Sequence, residues 1–299
     1  EMEWKLSLHF FFPYLLIYLL IQLFMKKDKF IFCLVLLFAI DFFCCIVKAQ
    51  EKEKVRIRIH YITKFLLYEE QETEQEDETI LDIGNKISHF YSRNSLHRDL
   101  IKDSIVAKGG SMGDVMNALE KSNYPKTNFH YQIWKNYPSD KILTHTDKAI
   151  NIFRYSEKMN RPEWTLIAKD TIIANYKCQQ AETLYLGRHW KVWFTLDIAI
   201  SDGPWKLYGL PGLILHAEDS ERLFRFSCIQ IEKIQNEFLF YPSKRYIQCT
   251  KEEYHDLIRL KWKSPMTFAE RMSGFKGSAQ NQRGKSIAYP ERTALFLER

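Results

Sequence analysis

The sequence lacks every local arrangement that would announce a metal or nucleotide site. His60, His89, His97, His130, His145, His189, His216 and His255 stand singly, with no His-x-x-x-His pair and no Cys-x-x-Cys. Without that spacing no metal site can be assembled locally, and neither metal nor cofactor is expected. A phosphate cradle is missing too. Gly109-Gly110-Ser111-Met112-Gly113 has no strand before it to aim the loop. His97-Arg98-Asp99-Leu100 copies four letters of a kinase catalytic loop. Position 104 is Ser where that chemistry needs Asn, and no Asp-Phe-Gly follows. No Gly-x-Ser-x-Gly elbow is present to present a nucleophile.

Charge of one sign is also scarce. Lys and Arg number 43 against 37 Asp and Glu, a net +6. A small, unclustered surplus does not build a nucleic-acid surface. No internal repeat is present, and strands do not alternate with helices, which excludes a solenoid and a doubly wound sheet. Cysteine is sparse beyond residue 50. Only Cys178, Cys228 and Cys249 occur there, so at most one internal disulfide can form and one thiol is left over.

Two apolar runs open the chain, residues 8–24 and 30–47. The second begins after Met25 with Lys26, Lys27 and Lys29 and closes on Val47-Lys48-Ala49. That order of basic start, apolar middle and small-residue end is a secretory signal peptide, residues 25–49, with cleavage after Ala49. Residues 1–24 then read as an extension ahead of the true start. The alternative is a membrane anchor that retains both runs, residues 8–47; each is close to or below comfortable spanning length. Residues 50–299 read as a single domain, with membrane contact only through the apolar segments before it.

Residues 55–67 alternate: Val55, Ile57, Ile59, Tyr61, Phe65 and Leu67 on one side, Arg56, Arg58, His60 and Lys64 on the other. Period two predicts a half-buried strand. The acidic run Glu69–Glu78 reads as a solvated loop. Helical spacing predicts helices over 94–106, 113–121 and 251–262, with one more turn at 268–272. Short strands are expected through 79–91, 129–155, 182–198, 213–217, 223–231, 237–241 and 288–297, with a hairpin over 164–176 turning at Lys169-Asp170. Residues 274–287, rich in Gly, Ser, Gln and Asn, read as a flexible segment. The fold class is mainly β with a few helices (α+β): a curved, partly closed antiparallel sheet packed on the helices near 94–121 and 251–262.

The densest punctuation lies between 203 and 212. Gly203, Pro204, Trp205, Lys206, Tyr208, Gly209, Leu210, Pro211 and Gly212 lead directly into the apolar Leu213 and Ile214. Pro211-Gly212 predicts a type II turn, with Gly212 at positive φ. Ser201-Asp202 supplies local caps. Trp164, Trp190, Trp193, Trp205, Tyr185 and Tyr208 crowd the same third of the chain. They read as core side chains on a curved sheet or as the lining of an apolar cleft.

The run Gly209-Leu210-Pro211-Gly212-Leu213-Ile214 resembles the signature of the GLPGLI family of exported Bacteroidota proteins. Tyr176-x-Cys178-Gln179-x-Ala181, Gly187-Arg188-x-Trp190-x-Val192-Trp193-Phe194-Thr195 and Gly203-Pro204-Trp205-Lys206 follow that family's order. Asn136-Tyr137-Pro138 and Leu81-Asp82-Ile83-Gly84 resemble its earlier half. The resemblance implies an exported, cell-envelope location, periplasmic or associated with the outer membrane. It carries no activity and no catalytic residues.

The reading that follows is a non-enzymatic binding or accessory protein with an aromatic-rich cleft, whose partner is an apolar ligand or an envelope protein. Gly187, Arg188, Trp190, Trp193, Gly203–Trp205 and Tyr208–Ile214 are its ligand-binding or structural residues, with Arg188 tying turn carbonyls together. A hydrolase whose site is not visible in the sequence is the second reading. It needs a Ser or Cys, a His and a carboxylate converging in a pocket.

Overall fold

The computed structural model describes residues 53–241, 245–274 and 289–298. The expected leader and anchor, and all but the first residue of the segment 274–287, lie outside them. Twelve strands form one sheet. They are β1 (Ile57–Phe65), β2 (Gln75–Ile83), β3 (Ser88–Ser92), β4 (Gln132–Lys135), β5 (Ile142–Lys148), β6 (Ile152–Lys158), β7 (Thr165–Ile173), β8 (Tyr176–Tyr185), β9 (Arg188–Thr195), β10 (Leu213–Asp219), β11 (Phe224–Lys233) and β12 (Ile247–Gln248). Four helices accompany them among the described residues: α1 (Arg93–Ala107), α2 (Met112–Glu120), α3 (Lys251–Lys263) and α4 (Pro265–Ser273).

The sheet runs β12-β6-β5-β4-β3-β2-β1-β11-β10-β9-β8-β7, open at β12 and β7. Every neighbouring pair is antiparallel except β12 with β6, so the sheet is mixed rather than purely antiparallel. The chain closes the middle by bringing β11 back beside β1, Ile59 opposite Ile231 and Phe65 opposite Phe224.

Period two decides which face is buried. Ile59, Tyr61 and Phe65 of β1, Phe224 and Phe226 of β11, Leu213, Leu215 and Ala217 of β10, and Trp190, Val192 and Phe194 of β9 form one apolar cluster. Among the described residues, Trp262 of α3 is the helical side chain packed against it. Trp205, Leu207 and Leu210 from the β9–β10 connection join it, as do Leu295 and Leu297. Leu96 of α1 packs with Ile80 and Tyr91. Tyr254 and Ile258 of α3 pack with Phe153 and Tyr155 of β6. Three of the four helix starts are fixed by a side chain that accepts an otherwise orphaned N–H, and α4 starts on Pro265 with no side-chain cap. Ser92 caps α1, and capping boxes at Ser111/Asp114 and Thr250/Glu253 start α2 and α3.

Three local expectations are corrected. The acidic run does not stay in a loop: its last four residues open β2, and Asp77 is buried, accepting hydrogen bonds from Ser92, Asn94 and Thr127. The hairpin over 164–176 does not turn at Lys169-Asp170. Those residues lie within β7, at a register shift between Ile167 and Asp170. The turn falls at Ala174-Asn175, both at positive φ (49° and 68°), the geometry whose twist suits a two-residue hairpin. Residues 237–241 and 289–298 give single bridges, Lys54 with Phe238 and Tyr68 with Ala294, instead of strands. Gly274 ends α4 at φ 69°.

Candidate functional site

The β9–β10 connection, residues 196–212, folds back across the apolar face. Leu213 N donates to Ile198 O and Ile214 N to Asp202 O, so the connection runs beside the strand it feeds. Gly203 and Gly212 permit this close approach. A Cβ on Gly203 would lie 2.8 Å from Ile214 Cβ, and one on Gly212 would lie 1.9 Å from Thr195 O. The type II turn expected at Pro211-Gly212 is not formed, because Gly212 is needed for contact and does not adopt positive φ. The positive φ values belong to Gly209 (100°) and Trp205 (51°).

Two buried lysines fasten the connection. Lys135, at the end of β4, pairs with Asp202, and its Nζ donates to Gly203 O (2.6 Å) and Leu207 O (3.3 Å). Burial pushes this ammonium below its usual range, and Asp202 opposes the push. Lys206 is 1% exposed. Its Nζ pairs with Glu157 of β6, donates to both oxygens of Glu298 at 3.0 Å, and reaches Tyr155 Oη at 3.2 Å. The exposed rim is held by neutral backbone acceptors: Arg161 Nη2 donates to Gly209 O (2.6 Å) and Trp164 Nε1 to Tyr208 O (2.9 Å).

Of the aromatic block, Tyr185, Trp190 and Trp205 are buried in the core, and Trp164, Trp193 and Tyr208 are half-buried. Trp190 and Trp205 are each 1% exposed, with ring centroids 5.4 Å apart. Trp193 faces away on β9 and is half-buried. Arg188 ties β9 to β10 and to the backbone of segment 289–298. Its Nη1 donates to Asp219 Oδ2 (2.9 Å), and Nε and Nη2 both donate to Phe296 O. Gly187 supplies the β8–β9 turn, at φ 78° beside Leu186 at 49°. The thiols of Cys178, Cys228 and Cys249 are each unbridged. Burial raises the first two to about 11 and about 12.

Arg161, Ser201, Tyr208, Gly209, Leu210 and Pro211 line a shallow depression of about 340 Å³. A second, of about 440 Å³, has mostly charged walls, including Glu70, Arg259, Lys263, Glu291 and Arg292. A Ser-His-carboxylate row does exist: His216 Nδ1 is 3.1 Å from Ser227 Oγ, and Nε2 is 3.9 Å from Glu218 Oε2. It lies across β10 and β11 outside both depressions, and Lys191 holds Glu218 at 2.6 Å. Such a row is a cross-strand polar ladder. Among the described residues no three His, Cys, Asp or Glu side chains are placed to hold a metal ion.

Residues 187–216 match the family model described as a protein of unknown function (Porph_ging). The matched stretch spans β9, the whole connection and the start of β10. Within it, Gly203 and Gly212 are accounted for by the folding-back just described, and Gly187 and Gly209 by their positive φ. No curated protein matches the chain. Among solved structures, PNGF-II in its P21 and C2 crystal forms is similar at 15% and 16% identity, with a TM-score of 0.45 in both. The similarity covers 68% of this chain and 33% and 32% of the PNGF-II chains, so it spans about a third of that protein.

The sequence pointed to the connection but not to its fasteners. Lys135 follows the apolar Ile133-Trp134, and Lys206 stands between Trp205 and Leu207. A lysine inside an apolar run is the signal that could have marked both.

Proposed function

We propose that this is an exported cell-envelope protein of the GLPGLI type that acts as a non-enzymatic accessory protein, contacting a protein partner through the rim of the β9–β10 connection. One observation carries the reading. Of the aromatic and proline side chains between 203 and 212, only Tyr208 and Pro211 reach solvent, and they meet Arg161 in an open, mainly apolar depression. Aromatic and Arg side chains at a rigid rim are the composition of an interface anchor. A small apolar ligand fits less well, since the depression is shallow and the tryptophans behind it are packed. The hexapeptide and the leader pattern support the narrower family and the exported location. No helix among the described residues is long and apolar enough to cross a membrane.

A photo-reactive phenylalanine at exposed Pro211 tests the contact in the exported full chain. The same group at Leu166, 62% exposed on the edge strand β7, is the control. A discrete protein adduct should form from 211 and not from 166, and Tyr208→Ala should abolish it. No adduct, or equal adducts from both positions, would reject the reading.

A further inference from the structure

Glu298 occupies a socket whose donors come from three separate parts of the fold. Lys206 of the β9–β10 connection reaches both carboxylate oxygens at 3.0 Å. Lys251 of α3 reaches Oε2 at 2.6 Å, and His255 Nε2 stands 3.5 Å from Oε1. Tyr155 of β6 donates to Oε1 at 2.8 Å. The carboxylate is buried, its side chain 5% exposed. Burial alone would raise its pKa, but His255, Lys206 and Lys251 together hold it well below the usual carboxylate range.

The charge count shows what the socket requires. With Glu298 absent, two ammonium groups would face Glu157 as the one remaining carboxylate in contact with them. One negative charge would then serve both the buried Lys206 and the partly exposed Lys251, so the vacated socket favours a second anion. Its donors suit a carboxylate, with two cationic donors and one hydroxyl on a two-oxygen acceptor.

The shell behind it holds one unspent group. The Tyr155 proton goes to Glu298, so Tyr155 Oη must accept from His145 Nδ1. That leaves His145 Nε2 as a bare acceptor. His145 is 3% exposed and Nε2 has no partner.

Residue 298 arrives on a segment that is not part of the sheet. Residues 289–298 have no named strand or helix. The segment is held by backbone bonds such as Arg292 N to Trp262 O and Leu295 N to Leu67 O, by Arg188 on Phe296 O, and by buried Leu295 and Leu297.

We propose that Lys206, Lys251, His255 and Tyr155 form a carboxylate-binding site that the chain fills in cis with Glu298, and that lifting segment 289–298 opens this site to a small carboxylate ligand. The proposal is independent of the partner contact at Tyr208.

Chemical rescue tests it on the full chain. Glu298→Ala removes a group of the size of acetate. Its melting temperature is measured in sodium acetate, in acetamide as the neutral isostere, and in sodium chloride. Acetate should raise the melting temperature of E298A by about 4 °C more than that of the wild type. Acetamide and chloride should not, and adding Lys251→Ala should remove the rescue. Equal responses to acetate and acetamide, or equal responses of variant and wild type, would overturn the site. If E298A does not fold, amide exchange at Leu295 in the wild type decides. Acetate should speed it several-fold over chloride by competing with the tethered carboxylate, and an unchanged rate would overturn the proposal.

Discussion

Gly212 and Thr195 approach so closely that a Cβ on the glycine would stand 1.9 Å from the threonine carbonyl oxygen. The contact is backbone against backbone, so no side chain can swing away to relieve it. Gly212→Ala should therefore destabilise the protein by about 3 kcal/mol, the upper range for overpacking. Gly113→Ala is the control. It lies in α2 with its nearest neighbour, Ser111 Oγ, at 3.5 Å, and should be neutral or stabilising by up to about 1 kcal/mol. Urea unfolding of the two variants checks the contrast.

Lys135 is the other fastener open to a direct test. Replacing it with Met would leave Asp202 and two loop carbonyls without their donor in a buried setting. Breaking one side of a buried pair costs about 3–5 kcal/mol. Lys64 pairs with Glu76 at 3.5 Å on the exposed face, where such pairs are worth about 1 kcal/mol or less. Lys135→Met should lower the urea midpoint sharply, and Lys64→Met should leave it nearly unchanged.

Acid should weaken the fold from two directions. Burial lowers His89 from 6.5 to about 3. The unfolded chain therefore takes up a proton below pH 6.5 that the folded chain refuses, and this stability is lost as pH falls from 6.5 toward 3. Glu298, held below its ordinary 4.5 by His255 and the two lysines, contributes stability that is complete above 4.5 and lost as pH falls below it. Unfolding free energy measured against pH should fall by about 1 kcal/mol per unit for each group in its window. His89→Phe should flatten the slope between pH 6 and 4, values chosen roughly within that window. Glu298→Gln should flatten only the part below 4.5.

Thiol chemistry gives a fourth test. Cys178 and Cys228 are unbridged, buried and raised to about 11 and about 12. Little thiolate is then present at neutral pH, and thiolate is the reacting species. A disulfide-exchange reagent should label the half-buried Cys249 first and the other two only on unfolding. Mass spectrometry of the labelled native protein reads the order.

These features differ in how far the sequence showed them. Strand β1 was plain because Ile59, Tyr61 and Phe65 alternate with Arg58, His60 and Lys64, and a half-buried strand needs that pattern. The connection was plain as punctuation but not as geometry. Pro211-Gly212 fits a type II turn locally, yet the close approach to Thr195 decides the backbone, and that neighbour is set by β9 pairing with β10. The acidic run misled for a similar reason. Asp77 is buried because Ser92, Asn94 and Thr127 converge on it from distant positions. The Lys206–Glu298 socket was invisible, since its members lie up to 143 residues apart and each alone looks like a surface charge.

One stretch is divided in use: Trp205 is buried in the core, and Tyr208 stands half-buried at the rim. Unfolding midpoints of Trp205→Ala and Tyr208→Ala, measured side by side, test this most directly. Trp205→Ala should lose about 3–5 kcal/mol and Tyr208→Ala about 1 kcal/mol or less. Equal losses, or a larger loss at Tyr208, would contradict it.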